Sequence, residues 1–142
     1  MKDLQTAKTR LAAGDCTCVL CKDGDEKISV ERGVKPLVIW LQSGAQFQGY
    51  AAADKVVGKA TAFLYVLLKV KSVYAQVISV PALQVLLDNG IYAEYGEKVP
   101  SIINRKGDGL CPFEQCVLGV DNPQSAQEKI LKKLAEMGIS LS

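Results

Sequence analysis

Residues 72–79, SVYAQVIS, constrain the fold more than any other stretch of this chain. The run is rich in β-branched residues and bounded by helical patterns, which suits a strand buried inside a sheet. Upstream, Asp54–Lys69 reads as a helix that is apolar almost all the way round from Ala60 onward, and therefore as a buried one. Downstream, VPALQVLLDNG reads as a second helix, with Pro81 near its start and Gly90 just past its end. Helix, strand and helix in succession point to an α/β domain.

The flanking segments extend the alternation. Thr17–Cys21 and Lys27–Arg32 surround Asp23-Gly24 and predict a β-hairpin. KPLVIWLQSG predicts a short helix, with Pro36 at its start and Gly44 at its end, although the apolar run Leu37–Leu41 also fits a strand. AQFQGYAAA reads as a loop, and IYAEY and VPSIIN as two further short strands. RKGDGLCPFEQCVLG turns through two glycines into a short helix. In DNPQSAQEKILKKLAEMG, Asn122 is a good N-cap, Pro123 fits the first turn and Gly138 closes the helix. Ala126, Ile130, Leu134 and Met137 form its apolar stripe. With no repeat and no linker, residues 1–142 are expected to form a single domain.

Composition removes several classes of function. A chain of 142 residues, 49% hydrophobic, can build a core without disulfide or metal. A net charge of +2 and the lack of a basic cluster interleaved with aromatics argue against a nucleic-acid polymer as partner. The opening MKDLQTAKTRLAAGDC has no continuous apolar run and does not read as a signal peptide. The longest apolar stretch, Ala60–Leu68, is too short to cross a membrane. Five cysteines without an export signal predict reduced thiols and a cytoplasmic location. Histidine is absent, which withdraws the commonest general base and the commonest zinc ligand.

Three clusters could carry chemistry. As the N-cap of a helix over 54–69, Asp54 would accept an orphan N–H. Lys55 and Lys59 would then lie one turn apart near the positive end of the helix dipole, where like charges are unfavourable. Solvated lysines at a frayed helix start explain this cheaply. A bound phosphate or carboxylate explains it as well, with Gly58 permitting close backbone approach. In the second cluster, Cys111 stands at an N-cap, Pro112 at N1 and Glu114 at N3. A cysteine so placed can have its thiolate favoured, further so if Arg105 and Lys106 fold back, or it can simply fill space. In the third, CTCVLC, strand alternation sends Cys16 and Cys18 to one face and Cys21 to the other. That suits packing better than a metal, since no CxxC pair or histidine supports zinc, even if Cys111 or Cys116 were recruited.

Three segments together, AADKVVGKATAFLYVLLKVKSVYAQVIS, VPALQVLLDNGI and VPSIINRKGDGLCPFE, resemble a small bacterial family of unknown function in the cytidine deaminase-like superfamily. The Asp-Lys-x-x-Gly-Lys and Gly-Asp-Gly-x-Cys-Pro-x-Glu elements carry the resemblance. It implies a three-layer α/β/α fold with a mixed β-sheet. Active zinc deaminases open one helix with His-x-Glu or Cys-x-Glu and the next with Pro-Cys-x-x-Cys. Here those starts are expected at Asp54 and at Ser79-Val80-Pro81-Ala82-Leu83, and neither carries the ligands. The resemblance is thus to the fold without its zinc centre, and zinc-dependent deamination is not expected. It also implies that Asp54, Lys55 and Lys59 lie beside Ser79, with the CPFE turn closing over them.

The resulting expectation is a domain, with no metal or cofactor, that binds a small anionic ligand such as a nucleotide. Lys55 and Lys59 would take the charge and Asp54 would orient a polar group. Two alternatives stand beside it. One is a thiol enzyme with Cys111 as nucleophile and Glu114 or Asp54 moving protons. The other is a protein-interaction or regulatory module, homo-oligomeric or not, using the hairpin edge or the C-terminal helix.

Overall fold

The computed structural model describes residues 2–31 and 33–141. The chain opens with helix α1 (Lys2–Ala12), whose Leu4, Ala7 and Leu11 are buried. Strands β1 (Cys18–Lys22) and β2 (Asp25–Ser29) form the expected hairpin. Asp23 and Gly24 both take positive φ, 49° and 87°, the turn that matches the twist of two antiparallel strands. Arg32, expected to end the second strand, lies outside the described residues. Helix α2 (Lys35–Gln42) follows, so the apolar run Leu37–Leu41 is helical.

The next element departs from expectation. Ala51–Val57 is strand β3, not a loop running into a helix. Alanine, aspartate and lysine are not strand formers, but position overrides that preference. Ala51, Ala52 and Ala53 are fully buried in the middle of the sheet, between β1 and the strand that follows. Helix α3 (Lys59–Leu68) begins only after Gly58, so Asp54 is not its N-cap and Lys55 is not on it. Lys55 and Lys59 therefore never form a same-face helical pair.

Strand β4 (Ser72–Ser79) and helix α4 (Val80–Asp88) fall where the pattern put them. Of the two short strands expected next, IYAEY becomes part of β5 (Tyr92–Val99), which runs on through Gly96, while VPSIIN contributes only Val99 and is otherwise not a strand. A Cβ at residue 96 would sit 2.9 Å from the Gln76 carbonyl oxygen, so this glycine allows close strand contact and does not break the strand. Beyond Pro100 only an isolated bridge, Ile103 to Leu110, remains. Helices α5 (Pro112–Cys116) and α6 (Pro123–Glu136) complete the order, α6 capped by Asn122 as expected.

The sheet order is β2-β1-β3-β4-β5, antiparallel through β1 and parallel from β3 to β5. Helix α1 covers one face over Ala53, Val19 and Cys21, and the other helices cover the opposite face around Tyr65, Leu64 and Ile130. The fold is three-layer α/β/α with a mixed sheet. Cys16 precedes β1 and packs with Cys21 beneath α1, whereas Cys18 points to the other face. The expected pairing of Cys16 with Cys18 fails because strand alternation begins only at Cys18. No helix among the described residues is long and apolar enough to cross a membrane.

Candidate functional site

In a sheet with parallel strands, the carboxyl ends of those strands are where loops leave room for a ligand. Here the carboxyl end of β3 lies against the start of β1, because those two strands are antiparallel and Cys18 stands opposite Asp54. Helix α2 and the turn before α5 wall off the space above them. The result is a cavity of about 340 Å³, lined by Thr17, Cys18, Val34, Asp54, Lys55, Cys111, Phe113 and Glu114 among others.

Asp54 is the unusual group. It is 7% exposed, and alternation along β3 turns its carboxylate toward α3. The Tyr65 hydroxyl donates to Asp54 Oδ2 at 2.7 Å. Cys18 Sγ lies 3.1 Å from the same hydroxyl. Since the single phenolic proton goes to Asp54, the thiol is the donor to the Tyr65 oxygen. Burial pushes the Asp54 carboxyl up to about 7, while the Tyr65 hydroxyl and the backbone N–H groups of Val56 and Lys55 hold it from rising further. Burial also raises Tyr65 and Cys18 well above their ordinary ranges, so both are protonated at neutral pH. Near pH 7, then, Asp54 can both donate and accept a proton on the cavity wall.

Glu114 has a different task. It is 7% exposed, and its two oxygens accept from the first backbone N–H groups of α3, Oε1 from Lys59 at 2.9 Å and Oε2 from Ala60 at 3.1 Å. The N-cap residue Gly58 has no side chain to do this, and a Cβ there would come within 2.7 Å of the Glu114 carboxylate. Its backbone is extended (φ −94°), so space alone, and not strain, requires glycine. The anion expected at the start of this helix is therefore the chain's own Glu114. Gly58 does permit a close approach, but to that side chain.

The structure brings Asp54, Lys55, Cys111 and Glu114 to one cavity. Lys59 and Ser79 do not line it. Lys59 Nζ lies 5.8 Å from the centre of the Phe63 ring. Ser79 is fully buried and caps α4, its Oγ accepting from the Ala82 N–H at 3.2 Å. Arg105 and Lys106 are exposed on a turn pinned by Asn104, whose Oδ1 accepts from the Gly107 N–H at 2.8 Å, and they do not line the cavity. Sequence reasoning missed Thr17, Cys18 and Tyr65. Tyr65 had a signal: a tyrosine inside the apolar run ATAFLYVLL needs a buried partner for its hydroxyl.

Zinc does not fit this donor set. α3 opens on Gly58-Lys59 and α4 on Val80-Pro81, with Ser79 before it, and none is a zinc ligand of the usual kind. Among the described residues no group of three histidine, cysteine, aspartate or glutamate side chains is placed to hold a metal ion.

A search of the curated proteins gives no match. A crystal structure of a DUF1893 family protein from Thermotoga maritima superposes with a TM-score of 0.84 at 31% identity, covering 93% of this chain and 90% of that one. The apo dCMP deaminase from the cyanophage S-TIM5 gives a TM-score of 0.44 at 16% identity, covering 66% of this chain and 94% of that one. A diaminohydroxyphosphoribosylaminopyrimidine deaminase/5-amino-6-(5-phosphoribosylamino)uracil reductase from Thermotoga maritima gives 0.48 at 13% identity, covering 83% and 42%. Residues 6–134 match the family model for a domain of unknown function, DUF1893, and the chain belongs to that family.

Proposed function

We propose that the cavity at the carboxyl end of β3 binds a small anionic ligand, a nucleotide or a related metabolite. Lys55 supplies the counter-charge and Asp54 orients the polar edge of the ligand. One observation carries the reading: a nine-tenths buried carboxyl, raised to about 7, lines an apolar-walled cavity beside a lysine. A few convergent polar groups in a mostly apolar cavity are what a small-molecule site requires. Lys59 and Ser79 are not part of the ligand set in this reading. Isothermal titration of the protein with nucleoside 5′-monophosphates and with inorganic phosphate tests it. At least one is expected to bind with one-to-one stoichiometry, and Lys55→Ala to weaken that binding about tenfold or more, since a hydrogen bond to a charged group contributes roughly 1.5–3 kcal/mol. Binding of none of them, or equal affinity in the variant, contradicts the proposal.

A second reading is favoured by the position of Cys111 on the same cavity as Asp54 and Lys55. Cys111 is then a nucleophile, Lys55 steadies a developing oxyanion, and Asp54 moves the proton. Glu114 drops out as a proton carrier, because both its oxygens already hold N–H groups of α3. Cys111→Ser separates the two readings. A binding module keeps its affinity in that variant, whereas a thiol enzyme loses all turnover.

A further inference from the structure

Asp54 is not alone as a polar group sealed into the cavity wall. Thr61, in the first turn of α3, is 6% exposed and lines the same space. Its hydroxyl exchanges no hydrogen bond among the described residues, and the little surface it keeps faces the cavity. A buried hydroxyl without a partner is destabilising, so its place there calls for a reason. Asp54 has capacity left as well. A carboxylate offers about four lone-pair sites, and the Tyr65 hydroxyl with the backbone N–H groups of Val56 and Lys55 does not fill them.

Charge sorts the two ends of the cavity. Lys55 is exposed at its rim and in no ion pair among the described residues. The buried end holds a carboxyl and a hydroxyl but no cation, so an anionic group would lack a counter-charge there. Glu114 is taken up by the N–H groups of α3, and Glu31 faces Lys35 at 3.7 Å. Val34, Pro36 and Phe113 supply apolar wall, with Phe113 giving a ring on which a flat ligand can lie.

We propose that Asp54 and Thr61 together read the uncharged edge of a flat nitrogen heterocycle, an edge on which an N–H donor adjoins a lone-pair acceptor, as in a lactam or an amidine. The ligand N–H donates to Asp54, the Thr61 hydroxyl donates to the ligand acceptor, and the anionic group stays outside at Lys55. This inference rests on the anion-binding reading above and adds which end of the ligand is buried and which residue selects it. A site built around such hydrogen bonds discriminates against an anion that cannot make them, because its own buried polar groups are then left unpaired.

Isothermal titration of the full chain with the 5′-monophosphates of adenosine, guanosine, cytidine and uridine, and with ribose 5-phosphate, is the test. At least one nucleotide is expected to bind about tenfold or more tighter than ribose 5-phosphate. Thr61→Val keeps the shape and removes the hydroxyl. It is expected to weaken that nucleotide about three- to tenfold, to leave ribose 5-phosphate unchanged and, having no protein partner to lose, not to lower the melting temperature. Thr61→Ser is expected to bind like the natural chain. Ribose 5-phosphate binding as tightly as every nucleotide, unchanged nucleotide affinity in Thr61→Val, or a lowered melting temperature in that variant overturns this inference and leaves the Lys55 reading standing. Binding of neither nucleotides nor ribose 5-phosphate overturns both.

Discussion

Asp54 and Lys55 are adjacent on β3, and strand alternation sends the first inward to Tyr65 and leaves the second exposed beside the cavity. The inward position has a thermodynamic cost that is measurable. With a folded pKa near 7 against an ordinary value near 3.9, Asp54 holds more proton in the folded state than in the unfolded one over that interval. Its contribution is therefore most favourable below about pH 4, is lost as pH rises to about 7, and is constant above that. Asp54→Asn removes the titration. Relative to the natural chain it is expected to gain stability from pH 4 to 7, by up to about 4 kcal/mol, with no further gain above. Denaturant melts of both proteins across this range check the difference. The sequence predicts Asp54 as a helix cap beside Ser79, whereas the structure places it on β3 against Tyr65 and Cys18. Its real partners, Cys18 and Tyr65, come from a strand and a helix far away in the chain, and no local spacing encodes that meeting.

At the scale of elements, the start of α3 shows how a cap can be supplied from a distance. Glu114 closes a helix end that Gly58 leaves bare, and Gly58 leaves the room that Glu114 fills. Glu114→Ala is expected to cost about 2 kcal/mol, a cap plus a charge-assisted bond, and Gly58→Ala a similar amount through its clash with the carboxylate. Combined, the two losses should fall well short of their sum, because removing Glu114 also removes the clash. Thermal or urea melts of the four proteins give the coupling directly. Much at this scale was legible: the hairpin, α2, β4, α4 and α6 all carry their own turn residues, caps or apolar periodicity. The failures have one cause. AAADKVV and the Gly96 region have local preferences that point away from strand, and only their neighbours in the sheet make them strands.

Across the whole molecule, the sheet divides the buried residues into a large cluster on the α3 side and a small one beneath α1. α1 escaped sequence reasoning because its apolar stripe is only Leu4, Ala7 and Leu11 among polar residues, and an isolated helix of that length is marginal without packing. Leu11 is 1% exposed, and Leu11→Ala is expected to cost about 3 kcal/mol by opening a cavity in the smaller cluster, as a denaturant melt would register. The larger cluster includes Tyr65, whose hydroxyl donates to Asp54 on the cavity wall. This packing places a buried carboxyl, raised to about 7, on a cavity of about 340 Å³ beside Lys55. The most direct test is a carbon-13 NMR titration of the Asp54 side-chain carboxyl, assigned with Asp54→Asn, alone and with the nucleoside monophosphate that binds best. A midpoint near 7 is expected in the free protein. If the proposed anion binds, a higher midpoint is expected in its presence, since a neighbouring negative charge disfavours the carboxylate. A free midpoint near 4, or one that no anion moves, would contradict these expectations.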